Sequence, residues 1–141
     1  MVQLLLDHGV DVNVLKDNLW SPLHLASAHG HLGVTQLLVQ CGARVDVFNG
    51  KQETPLHLAA RNGKVEIVSL LIDHGANLHI INSNGWTPLY AASRRGRLRV
   101  VILLLRRGAD VNVLNKANKT TAELENCQAV IAKFTAKYKL L

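Results

Sequence analysis

A shift of 33 residues lays the chain over itself, and that period constrains the fold more than any single residue does. The segment S-P-L-H-L-A beginning at Ser21 falls on T-P-L-H-L-A at Thr54, then on T-P-L-Y-A-A at Thr87, and last on a degenerate T-T-A-E-L-E at Thr120. Gly9, Gly42, Gly75 and Gly108 align under the same shift, and each closes a leucine-rich run. A unit this short cannot bury its apolar face alone, so the units must stack and share one core.

The repeated residues have local physical reasons. Ser21 and Thr54 stand before a proline, as does Thr87. A hydroxyl at that place caps a helix, and proline fits the first turn, where no backbone donor is needed. Small residues follow (Ala26 and Ser27, Ala59 and Ala60, Ala91 and Ala92) and let neighbouring helices approach closely. Gly30, Gly63 and Gly96 are expected to end this first helix in a left-handed conformation. A second helix then carries apolar residues at helical spacing, for example Val65, Val68, Leu71 and Ile72, and stops at the next aligned glycine.

The 33-residue period with T-P-L-H-x-A resembles the ankyrin repeat over essentially all 141 positions. The resemblance implies an all-α solenoid of stacked helix-turn-helix units joined by short β-hairpin fingers. The chain reads as one domain, 1–141, with a partial N-terminal repeat at 1–20, full repeats at 21–53, 54–86 and 87–119, and a C-terminal cap at 120–141. The first unit opens inside a second helix, leaving Leu4, Leu5 and Leu6 without their usual partner helix, as in a truncated chain or a piece of a longer array. The last unit lacks the proline, histidine and mid-repeat glycine and bears Glu123, Glu125, Lys133, Lys137 and Lys139, the polar outer surface that a solenoid's end requires. The family places a glycine two residues before the Thr, and here only Gly85 fits, with Leu19, Gln52 and Asn118 in the other units. Asn118 tolerates a left-handed backbone, whereas Leu19 and Gln52 are expected to be strained there.

Several function classes lose their support. No apolar run approaches the roughly 20 residues of a membrane span, and the N-terminus has neither the basic flank nor the apolar stretch of a secretory signal, so an intracellular protein is expected. Cys41 and Cys127 are the only cysteines and form neither a disulfide framework nor a zinc motif. His24 and His57 share one framework position, taken by Tyr90 in the next repeat, which argues for hydrogen bonding within the framework. His8 and His74 precede aligned glycines at helix ends. His29 and His31 flank Gly30 but have no third ligand nearby in sequence. No phosphate-binding loop, nucleophile elbow or activated cysteine is present, so no enzyme and no cofactor are expected.

Binding leaves its trace where the repeats differ. In ankyrin proteins the finger tips and the exposed side of the first helix line a concave groove. The resemblance therefore implies a partner-binding set of Asp17, Asn18 and Trp20, then Lys51, Gln52 and Glu53, then Ser83, Asn84 and Trp86, then Lys116 and Lys119 at the tips. On the first helices the set is Ala28 and His29, Arg61 and Asn62, Arg94 and Arg95. Trp20 and Trp86 occupy the same repeat position, with Glu53 between them, and lie roughly 20 Å apart if helix layers are about 10 Å thick. Each is either a binding anchor or local packing against a finger.

Charge points to one end. Residues 1–86 hold five Lys or Arg against seven Asp or Glu, whereas 87–141 hold eleven against three. Arg106 and Arg107 suit the C-terminus of a helix, but Arg97 and Arg99 sit at an N-terminus, where the helix dipole opposes them. The expected partner is another protein or peptide, with an acidic segment clamped by Arg61, Arg94 and Arg95, bound by a monomer that makes no membrane contact. Nucleic-acid binding through the basic C-terminal half is the alternative, weakened by the lack of interleaved aromatic residues.

Overall fold

Each repeat begins where a hydroxyl and a proline meet. The computed structural model describes residues 13, 15 and 17–110, and six helices lie within them: α1 (Pro22–His29), α2 (Leu32–Gln40), α3 (Pro55–Arg61), α4 (Val65–Asp73), α5 (Pro88–Arg94) and α6 (Leu98–Arg106). At the start of α1 the Ser21 hydroxyl accepts the His24 N–H, while His24 Nδ1 accepts the Ser21 N–H at 3.1 Å. Thr54 and His57 repeat this reciprocal cap at α3. At α5 Tyr90 replaces the histidine, so only the hydroxyl half remains, with Thr87 Oγ1 accepting the Tyr90 N–H at 3.2 Å.

The odd-numbered helices pack side by side in one row and the even-numbered ones in a second row behind them. The core consists of columns set by the period. Leu23, Leu56 and Leu89 form one column in the front row, and Leu38, Leu71 and Leu104 form one in the back row, all nearly inaccessible to solvent. Ala26, Ala59 and Ala92 are buried too, and their small side chains let the front-row helices come together. At the mid-repeat turn Gly63 takes φ 72°, and a Cβ there would lie 3.0 Å from Arg97 Cδ, so glycine answers both the backbone and the side chain above it.

The fingers depart from the expected β-hairpins. No strand forms among the described residues. The fingers at 49–53 and 82–86 are tight turns, each closed by two backbone bonds: Asn49 N–H to Glu53 O at 3.0 Å with Gln52 N–H to Asn49 O at 2.9 Å, and Asn82 N–H to Trp86 O at 3.0 Å with Gly85 N–H to Asn82 O at 2.9 Å. Side chains shape the tip instead of a ladder. Asn49 Oδ1 accepts the N–H groups of Lys51 and Glu53, and Asn82 Oδ1 those of Asn84 and Trp86. Neighbouring fingers are joined by Gly50 N–H to Asn18 O at 2.6 Å and Ser83 N–H to Lys51 O at 2.9 Å. Leu19 and Gln52 lie in the left-handed region at φ 63° and 58°, matching Gly85 at 77°, as their shared repeat position requires. The leucines at 4–6, Asn118, and the cap proposed for 120–141 lie outside the described residues.

Candidate functional site

Two positions eight residues apart, one on the finger and one near the end of the first helix, meet as Glu53 with Arg61 and as Trp86 with Arg94. Trp20 and Ala28 hold the same two positions one repeat earlier. In the middle repeat Arg61 Nη1 donates to Glu53 Oε2 at 2.6 Å, and Glu53 Oε1 accepts from Asn49 Nδ2. In the third the Arg94 guanidinium carbon stands 4.9 Å from the centroid of the Trp86 indole. One geometry thus serves an ion pair in one repeat and a cation–π contact in the next.

This geometry corrects part of the sequence reading. Glu53 is only 4% exposed and spends its carboxylate on Arg61 and Asn49, so it offers a partner no surface. Arg61 is tied to it and half-buried. Asn62 is also half-buried, and its amide donates to Ala28 O, completing the C-terminus of α1 from the next repeat. Both tryptophans pack beside the first helix of their own repeat. The Trp20 and His24 ring centroids are 5.7 Å apart, and those of Trp86 and Tyr90 5.3 Å apart, each pair tilted. Both indoles keep part of their surface open.

The remaining tip residues Asp17, Asn18, Lys51 and Asn84 are exposed, as are His29, Arg94 and Arg95. Ser83 is half-buried, and Lys116 and Lys119 lie outside the described residues. The rings of His29 and His31 are 6.2 Å apart, and no group of three potential metal-binding side chains occurs among the described residues.

The arginines divide by their surroundings. Arg97 Nε donates to Arg61 O at 3.0 Å, so its guanidinium sits at the negative end of α3, which offsets the unfavourable dipole expected for Arg97, while Arg99 stays in the first turn of α6. Arg107 reaches back one repeat to Asp73 Oδ1 at 2.7 Å and to Ser69. Arg95 and Arg99 are exposed, and neither meets a carboxylate among the described residues.

The two framework histidines bridge repeats. Nε2–H of His24 donates to Glu53 O at 2.8 Å, and that of His57 to Trp86 O at 2.9 Å, fixing the carbonyl behind each of these finger residues. With Nε2 donating, Nδ1 is the acceptor that the cap needs. Burial lowers both pKa values below the ordinary histidine value, against smaller upward pulls from the accepting carbonyls and Glu53.

Sequence reasoning missed Asn49 and Asn82, which build the tips, and Asp46, whose carboxylate accepts the Asn77 N–H one repeat on. Their signal was the recurrence of Asn at 49 and 82 in the 33-residue register. No helix among the described residues is long and apolar enough to cross a membrane.

Comparison with curated proteins returns no match. A family model described as ankyrin repeats in three copies matches residues 41–115, and one described as ankyrin repeats in many copies matches 1–39. Repeats of this kind generally serve as protein–protein interaction modules and are typically non-enzymatic. With the stacked helix pairs, their capped starts and two family models covering successive parts of the sequence, the chain belongs to the ankyrin-repeat family.

Proposed function

We propose that the chain is a non-enzymatic binding module that takes a partner protein or peptide on the side formed by finger tips and first helices, and that the partner presents an acidic segment to the third repeat. The observation that carries this reading is the Trp86–Arg94 stack beside exposed Arg95. Stacking on a half-buried indole holds the guanidinium in one orientation, which lowers the ordering cost of a contact to a carboxylate. Trp and Arg are also the residue types that most often dominate interface energy. Arg61 contributes indirectly, through its pair with Glu53.

Immobilised full chain is expected to retain partners from a cell extract at low salt, and Trp86→Ala or Arg94→Glu with Arg95→Glu to lose them while helicity is unchanged. Retention that ignores both variants and ionic strength would sink the acidic-partner reading. A steep salt slope on random duplex DNA, with no protein held, would favour the nucleic-acid alternative.

A further inference from the structure

Six large apolar side chains are conspicuously exposed among the described residues, and three of them fall in one register. Leu15 is 45% exposed, Phe48 47% and Ile81 50%, each one repeat after the last. Phe48 and Ile81 immediately precede the tip turns that open at Asn49 and Asn82. Scattered exposed leucines are ordinary, but one position that is bulky, apolar and half exposed in three successive repeats makes a stripe along the fingers. Its residues differ in shape while keeping their character, unlike the framework His24 and His57, which are identical. That pattern fits a surface that meets another molecule rather than one packed inside each repeat.

The spacing selects the occupant. Front-row helices pack roughly 10 Å apart, so stripe residues one repeat apart are spaced by about that distance. In an α-helix seven residues advance about 10.5 Å and return to nearly the same side, drifting only ~20°. A β-strand covers that interval in about three residues, which turns the side chain to the opposite face. A helix can therefore present one apolar residue to each finger in succession, and a strand cannot. Charge then orients the helix. Between Trp86 and Asp110 lie six arginines and no acidic residue, and Arg95 and Arg99 have no carboxylate partner among the described residues.

We infer that the partner segment is an acidic amphipathic helix, with apolar residues seven apart along Leu15, Phe48 and Ile81 and its carboxylates over the arginines of the third repeat. The inference rests on the groove reading above and adds the form of the partner. It is tested by selecting binders to the full chain from a displayed library of random 24-residue peptides. Enriched peptides are expected to carry acidic residues and apolar residues at seven-residue spacing. They should become helical on binding and lose at least tenfold in affinity to Phe48→Ser and Ile81→Ser, but not to Leu98→Ser, an exposed apolar control outside the register. Peptides that lose affinity to Trp86→Ala or Arg95→Glu yet bind in extended form, or ignore Phe48→Ser, would overturn the helical partner and leave the groove reading standing. If no enriched peptide responds to any of these variants, both readings fall.

Discussion

At the scale of single residues, the fingers show backbone strain that the sequence exposes and an ion pair that it conceals. Leu19 and Gln52 hold left-handed backbones that cost a residue bearing a Cβ about 1–2 kcal/mol. Leu19→Gly and Gln52→Gly should each raise stability by about 0.5–1 kcal/mol, because glycine's greater freedom in the unfolded chain offsets part of the relief. Denaturant melts of the two variants measure this, and a loss of stability at both positions would contradict the strain. The strain was legible because a missing glycine in a strict period is visible as a letter. Burial of Glu53 was not, since the position holds tryptophan in the flanking repeats and only the fold shows that Arg61 and Asn49 close over it. Glu53→Gln should cost about 1–2 kcal/mol, less than a fully buried pair because Arg61 keeps contact with water. If a cycle pairing it with Arg61→Met shows no coupling, the pair contributes nothing.

At the scale of elements, helix starts were readable to the residue, because hydroxyl, proline and histidine are separate chemical signals that agree at Ser21 and Thr54. The finger conformation was not readable. A turn held by one asparagine side chain and two backbone bonds has no period of its own, and no strand forms among the described residues. The histidines that tie these elements together also make them pH-sensitive. Protonated Nδ1 becomes a donor facing the backbone N–H of Ser21 or Thr54, and burial further disfavours the charge, so the folded pKa values lie below those of the unfolded chain. As pH falls below about 6.5 the unfolded state takes up protons first. The contribution of these caps is therefore complete above that pH and is lost as pH falls toward the folded values, with a limiting slope of roughly 2.7 kcal/mol per pH unit for two protons. Urea melts at pH 7.5 and 5.0 should show the decline and its reduction in His24→Gln with His57→Gln. An undiminished slope in that double variant would assign the pH dependence to other groups.

At the scale of the molecule, the groove and the core obey the same translation, but with opposite demands on sequence. Core columns such as Leu23, Leu56 and Leu89 need the same residue each time, so the period reveals them. The paired positions occupied by Trp20 and Ala28, Glu53 and Arg61, and Trp86 and Arg94 vary, and only the fold tells which varied residue is spent internally. Stacking also makes stability directional. The middle front helix α3 packs against both α1 and α5, whereas among the described front helices α1 has only α3 beside it. In a solenoid each unit is stabilised by its neighbours, so damage in the middle removes support from both sides, while damage at one end can remain local. Leu56→Ala and Leu23→Ala delete the same buried atoms and should each cost about 2–5 kcal/mol within their own repeat. Hydrogen exchange followed by mass spectrometry should show Leu56→Ala loosening all of α1 to α6. Leu23→Ala should loosen α1 and α2 and leave α5 and α6 near their original protection. Equal loosening of α5 and α6 in both variants would mean that the array opens as a single cooperative unit, with coupling between repeats stronger than nearest-neighbour packing provides.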